Sequence, residues 1–244
     1  MAINPMHQFE VYRIGPEINL GTVNLSFTNA SLFMIISAIT ILFLLFLGTK
    51  KKLLIPSKTQ FITEMSYTFI AKMINDTAGS SAKSFFPFIF TLFMFVLFCN
   101  MIGMLPYSFT VTSHIIVTFM LAATVFIGVT IIGFIKHGIK YLELFVPKGV
   151  PIILLPLIIV IEIISYLSRP VSLSVRLFAN MMAGHTMLKV FGGFVISLGL
   201  LGGWLPLSFS VALTGLEILV AFLQAYVFAI LTCIYLNDAL NLHH

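Results

Sequence analysis

The chain has 244 residues, of which 59% are hydrophobic and only 9% charged, against about 25% charged in ordinary soluble domains. That balance excludes a soluble enzyme. The formal charge of +5, from 13 basic and 8 acidic residues, comes from short clusters between apolar runs, so it reports membrane topology and not a nucleic-acid partner.

Residues 1–28 carry Glu10, Arg13 and Glu17 without apolar periodicity. They lack the short apolar core of a signal peptide and the Arg-rich, acid-poor look of an import sequence. They read as an outer-side segment without a removable leader. The first span is expected over 29–48, stopped by Lys50, Lys51 and Lys52. Residues 58–78 differ, because Phe61, Ile62, Met65, Phe69, Met73 and Ile74 recur at helical spacing among Glu64, Lys72, Asn75 and Asp76. That pattern predicts an amphipathic helix in the interface. A hairpin over 85–135 follows, with spans at Phe85–Leu105 and His114–Ile135 joined by a short loop containing Pro106. After Lys136, His137, Lys140 and Lys148 come a fourth helix from Pro151 to Phe191 and a fifth from Pro206 to Asp238. The expected fold is one all-α integral membrane domain over 1–244, with about five transmembrane helices, one interfacial helix, and a long, tilted final hairpin over 151–238.

With the N-terminus outside, the inner segments 49–84 and 136–150 hold nine lysines, while the outer side keeps Arg13 and Lys189. This positive-inside bias puts the C-terminus inside. Cys99 and Cys233 fall in apolar runs without ligand spacing and read as packing residues. No cofactor or metal is expected.

The fourth helix carries the chemistry, since Glu162, Arg169, Arg176, Asn180 and His185 interrupt apolar sequence. A charge at mid-membrane costs a few kcal/mol or more, so it needs a partner, water or a task. At about 100° per residue with Arg176 as zero, Glu162 falls near +40°, Arg169 near +20°, Ser172 near −40°, Asn180 near +40° and Ala183 near −20°. His185 falls near 180° and roughly 13 Å further along the axis, toward a different compartment. A helix of roughly forty residues is about 60 Å long, twice the hydrocarbon thickness, so it must tilt or bend, with Pro170 the expected bend. The fifth helix adds Glu217 and Gln224 in line, with Tyr235 and Asp238 following. Side by side, the two stripes make a buried hydrophilic path.

The segment RPVSLSVRLFANMMAGH, with Glu162 before it and GLEILVAFLQAYVFAILTCIYL after it, resembles the a subunit of F-type ATP synthases. The likeness runs from about residue 27 to the end and includes FCNMIGMLPYSFTVTSH. It implies a stator subunit that carries protons past a rotating ring of c subunits, beside peripheral-stalk and other membrane subunits, and that is not itself catalytic. Arg176 matches the family's essential arginine, Glu162 the acid of the inner path, and His185 with Glu217 the pair of the outer path. The order of imidazole and acid is that of mitochondrial members, which points to the mitochondrial inner membrane, with the plasma membrane of a related bacterium as the alternative. Arg169 is often uncharged in those members and receives no role. Asn180, Ser172 and Gln224 are expected to hold Arg176 by hydrogen bonds.

Plainer readings stand beside these. Arg176 could be paired with Glu162 or Glu217, Glu162 could neutralise Arg169, and Asn180 and Gln224 could be helix–helix glue. Asp238, a candidate of the proton path, reads more often as a solvated terminus than as a channel residue. At the level of function, a self-contained secondary transporter and an intramembrane enzyme using His185 and Glu217 compete, as does a purely structural subunit. No internal repeat marks the first, and no nucleophile motif or H-E-x-x-H marks the second.

Overall fold

The computed structural model describes residues 8–15, 19–20, 23–24, 26–50, 55–105, 108–146 and 154–241. The expectations placed on Lys51, Lys52, Pro106, Lys148 and Pro151 lie outside these residues. A two-residue antiparallel pair, β1 (Asn19–Leu20) and β2 (Val23–Asn24), precedes six helices. These are α1 (Asn29–Lys50), α2 (Lys58–Ala78), α3 (Phe86–Gly103), α4 (Ile115–His137), α5 (Leu155–Gly202) and α6 (Trp204–Leu240). Short 3-10 turns cover 80–85, 111–113 and 138–145. All helices except α2 are long and apolar enough to cross a membrane.

The hydroxyls carried by these helices bond to their own backbone. Thr40, Thr91, Thr124 and Thr130 each donate to the carbonyl four residues back at 2.7–2.8 Å, so each proton is satisfied without water. α2 starts at Ser57, whose side chain accepts from the Gln60 amide. Its apolar residues divide between two faces. Ile70, Met73 and Ile74 are buried against the bundle, while Phe61, Ile62, Met65 and Phe69 are exposed. A helix with an apolar face left over after packing is suited to a lipid boundary.

α5 departs from its expected bounds. It continues past Phe191 to Gly202, and its dihedrals stay helical through Pro170; the break comes at Gly199, with φ 61° and ψ −157°. Only glycine adopts that left-handed backbone at little cost. Gly203 then links α5 to α6, and a side chain there would strike the carbonyls of Gly199 and Val195. The turn is therefore tight and α5 is one long rod. At 1.5 Å per residue the 45 residues from Leu155 to Gly199 span roughly 67 Å, about twice the thickness of a bilayer core, so α5 must lie steeply tilted.

Small residues let α6 pack closely. Ala221, Ala225 and Ala229 recur every four residues and are fully buried, together with Phe228, Cys233 and Leu236 and with Ile89, Phe93 and Val96 of α3. Asn100 of α3 donates to the Ala221 carbonyl at 3.2 Å inside this seam. Two sets of helix ends come together. At one end, Tyr12 of the N-terminal segment bonds Asn29 at the start of α1, and Gly103, Thr110 and His185 share a cavity. At the other, Lys136 and His137 at the end of α4 meet the Leu240 carbonyl at the end of α6, at 2.9 and 3.1 Å.

Candidate functional site

α5 and α6 run antiparallel, and three polar contacts tie them together along their length. Arg169 Nη1 lies 3.3 Å from Asp238 Oδ2. Asn180 Nδ2 donates to Gln224 Oε1 at 2.9 Å. His185 Nε2 lies 3.6 Å from Glu217 Oε1. The buried stripe of α5, formed by Tyr166, Leu173, Leu177 and Met181, is centred about 100° around the helix from Arg176. Asn180 and His185 stand on opposite edges of that stripe, which is why both reach neighbouring elements although roughly 140° separates them.

Gly184 sits in the middle of the same stripe. A Cβ there would lie 2.7 Å from Glu217 Oε1 and 3.0 Å from its Cδ. The carboxylate therefore occupies the space that a side chain would fill, and it reaches across the α5 backbone toward His185. Glu217 is only 4% exposed, and neither of its oxygens has a hydrogen-bond partner among the described residues. Two bare carboxylate oxygens in a buried site are costly unless water or a proton meets them. His185 also meets Thr110, with Nε2 3.0 Å from Oγ1, and the ring of Phe9 sets its edge against the imidazole. His185 and Thr110 line a cavity of about 910 Å³ together with Gln8, Tyr12 and Lys189.

At the other end of the hairpin the Arg169 guanidinium lies between two aromatic faces, 5.3 Å from the Tyr166 ring and 5.0 Å from that of Tyr235. The Tyr166 hydroxyl bonds Thr130 at 2.6 Å and Tyr141 at 3.0 Å. This cluster knits α4, α5 and α6 together around Asp238. The reading of Asp238 as a solvated terminus is thus replaced by an ion pair, because the long α5 brings Arg169 alongside the last turn of α6.

Arg176 behaves differently from every other ionisable group of the hairpin that has a partner. It is exposed on α5, as are Ser172 and Ala183 on the same face, and it makes no hydrogen bond or ion pair with a described residue. The expected bonds from Asn180, Gln224 and Ser172 to Arg176 are not formed. Asn180 and Gln224 bond each other instead, since both lie nearer the α5–α6 seam, and Gln224 keeps one buried amide nitrogen unpartnered. Glu162 is half-buried and pairs with neither Arg169 nor Arg176, the first having taken Asp238.

Three contributors escaped the sequence reading: Thr110, Asn100 and Gly184. Each is uncharged, and each gains its place only from a neighbour on another element. The small residue preceding His185 was the one available signal, since close approach of a helix needs a missing side chain.

The chain matches the family model described as ATP synthase A chain over residues 31–237. It is 79% identical to ATP synthase subunit a of Pelagibacter ubique (strain HTCC1062) over 244 residues, covering all of both chains. Against ATP synthase subunit a of Chelativorans sp. (strain BNC1) the identity is 58% over 250 residues, again covering both fully. For that of Rhizobium rhizogenes (strain K84 / ATCC BAA-868) it is 59%, covering 99% of this chain and 98% of the relative.

Proposed function

The chain belongs to the ATP synthase A chain family, and from that premise we propose that it is the proton-translocating stator subunit of the membrane sector, working against a ring of c subunits. The observation that carries this reading is Arg176, exposed on a long tilted helix and without a hydrogen-bond or ion-pair partner among the described residues. A guanidinium keeps its proton at any accessible pH, so it holds a fixed charge without relaying protons. A carboxylate on the neighbouring ring is favoured as the anion beside it. Its proton leaves into one aqueous half-channel. Past Arg176 the carboxylate meets a second half-channel and regains a proton before turning into lipid, where the charged form is too costly. The same cation repels a proton hopping directly between the channels. Lateral offset of the two paths turns proton flow into rotation.

The cavity beside His185 supports an outer half-channel that ends on the His185–Glu217 pair. Glu162 is assigned to the inner one. Asn180 and Gln224 set the α5–α6 spacing next to Arg176, while Ser172 stands on the ring-facing surface one turn away. Asp238 anchors the inner end through Arg169. In this role the chain makes no bond in ATP, and its partners are the ring and the other membrane and stalk subunits. The relatives named above are bacterial, which supports a bacterial plasma membrane; the mitochondrial inner membrane, expected from the order of His185 and Glu217, finds no support among them.

Arg176→Lys and Arg176→Ala are expected to abolish proton-driven ATP synthesis in membrane vesicles containing the assembled complex. Normal synthesis in either variant refutes the assignment.

A further inference from the structure

We infer that Thr110 is a positioning residue of the outer proton path: its hydroxyl holds His185 with a proton on Nε2, the nitrogen that faces Glu217. The inference rests on the reading of His185 and Glu217 as a proton relay. It starts from the Gly103 carbonyl. Gly103 is the last residue of α3, where helix-end carbonyls are commonly met by side chains. Two hydroxyls reach that oxygen, Ser108 Oγ at 3.0 Å and Thr110 Oγ1 at 3.1 Å. Ser108 has a nearer acceptor in the Leu105 carbonyl, at 2.7 Å.

A hydroxyl carries one proton. The Thr110 proton goes to the Gly103 carbonyl, and the Glu217 carboxylate, which can only accept when ionised, likewise calls for a proton on the Nε2 it faces. What Thr110 then presents to His185 Nε2, at 3.0 Å, is a lone pair, and an acceptor facing a ring nitrogen selects the tautomer protonated there. The same Nε2 lies 3.6 Å from Glu217 Oε1. A proton from hydronium in the cavity bonds Nδ1, leaving water and an imidazolium; passing the other proton to Glu217 then breaks the Nε2–H bond and forms an O–H bond, and the Thr110 acceptor favours return of the neutral ring to its Nε2–H tautomer by exchange with cavity water. The opposite tautomer would aim a lone pair at the carboxylate and could pass nothing.

The site is built to bring Thr110 in. Thr110 is 5% exposed. A Cβ on Gly103 would lie 2.8 Å from Thr110 Cγ2, so glycine at that position is what admits the side chain. Phe9 closes another side of the imidazole. Among charged groups, Lys189 one turn along α5 also lines the cavity, but no described contact joins it to the ring nitrogens.

The test uses the assembled complex in inverted vesicles, with ATP-driven proton pumping read beside ATP hydrolysis. Thr110→Val, which keeps shape and deletes the hydroxyl, is expected to lower pumping per ATP at least fivefold, and Thr110→Ser to restore it to within twofold of the parent. In a His185→Ala background, Thr110→Val is expected to change nothing further. The nitrogen NMR spectrum of histidine-labelled complex, with the His185 signal identified by its loss in His185→Ala, should show protonation at Nε2 in the parent and in Thr110→Ser. A parent spectrum protonated at Nδ1 overturns the inference without any Thr110 variant. So does normal pumping by Thr110→Val while His185→Ala is impaired, or equal impairment in Val and Ser, which would mark a packing role. Normal pumping by His185→Ala is a different failure, that of the relay itself. Should Thr110→Val not assemble, Thr110→Ala carries the same expectation.

Discussion

Gly184→Ala makes the sharpest demand on the geometry, because propensity and packing predict opposite outcomes. In an exposed helix interior the change is worth about 0.5–1 kcal/mol in favour of alanine. Here the new Cβ lands 2.7 Å from Glu217 Oε1 and 3.0 Å from Cδ, and ordinary contact begins near 3.4 Å. The carboxylate must withdraw by about 0.7 Å. Moving straight back from α5 takes it away from His185, from which it already stands 3.6 Å. A misplacement of about 1 Å in a transfer geometry can cost up to about 10²-fold in rate, so a loss of roughly tenfold in pumping is expected. The assay is ATP-driven acidification of inverted vesicles, normalised to the amount of assembled complex. Gly128→Ala in α4 is the control, since nothing lies within 4 Å of a Cβ there; it should pump as the parent does. Equal pumping by Gly184→Ala and Gly128→Ala would show that Glu217 does not need its present position, and the relay geometry would be wrong.

Gln224→Leu removes the acceptor of Asn180 from a 3% exposed site, and should lower the thermal stability of the membrane-embedded chain by about 0.6–2 kcal/mol, seen as an earlier melting transition. Asp238→Asn leaves the Arg169 guanidinium without its carboxylate; the two side chains are 24% and 35% exposed, so solvent screening holds the cost near about 1 kcal/mol. Arg169→Lys keeps the charge yet is expected to destabilise by a similar amount, because an ammonium does not stack between Tyr166 and Tyr235 as a flat guanidinium does; a melting profile matching the parent would show that the stack contributes nothing. Arg176→Leu, inactive in the complex, should stabilise the free chain in membranes that lack a ring by about 2.5–3.5 kcal/mol; an unchanged or shorter lifetime there would mean that the guanidinium has a partner within this chain.

Most of the fold was legible because lipid imposes one demand on every segment. A backbone that must satisfy itself internally forms helices, and an apolar run bounded by lysines fixes where they start and stop. α2 kept its expected bounds of 58–78 since its cap and polar residues are local signals. Its packing was not legible. A helical wheel separates apolar from polar but cannot tell bundle from lipid, so Ile70 and Phe61 look equivalent in sequence and end on different faces. The end of α5 was misjudged for a related reason. After Phe191, Gly192 and Gly193 stay helical in a segment flanked by its own hairpin partner, and only Gly199 leaves the helix.

The site divides along the same line. Charged residues stand out from an apolar background, so Glu162, Arg169, Arg176, His185, Glu217 and Asp238 are visible in one reading of the chain. Their partners are not, because pairing depends on how α6 is phased against α5. Helical angles put Asn180 and Arg176 on one face and invited a bond between them, but the seam passes on one side of that face. Asn180 is close enough to reach Gln224 and Arg176 is not. An angular difference of about 40° thus decides which polar group is spent on holding two helices together and which is left facing outward. An arginine without a hydrogen-bond or ion-pair partner among the described residues, in a membrane-spanning helix, is stable only where another molecule or water supplies the opposite charge, and that requirement is set by geometry no single-chain pattern encodes.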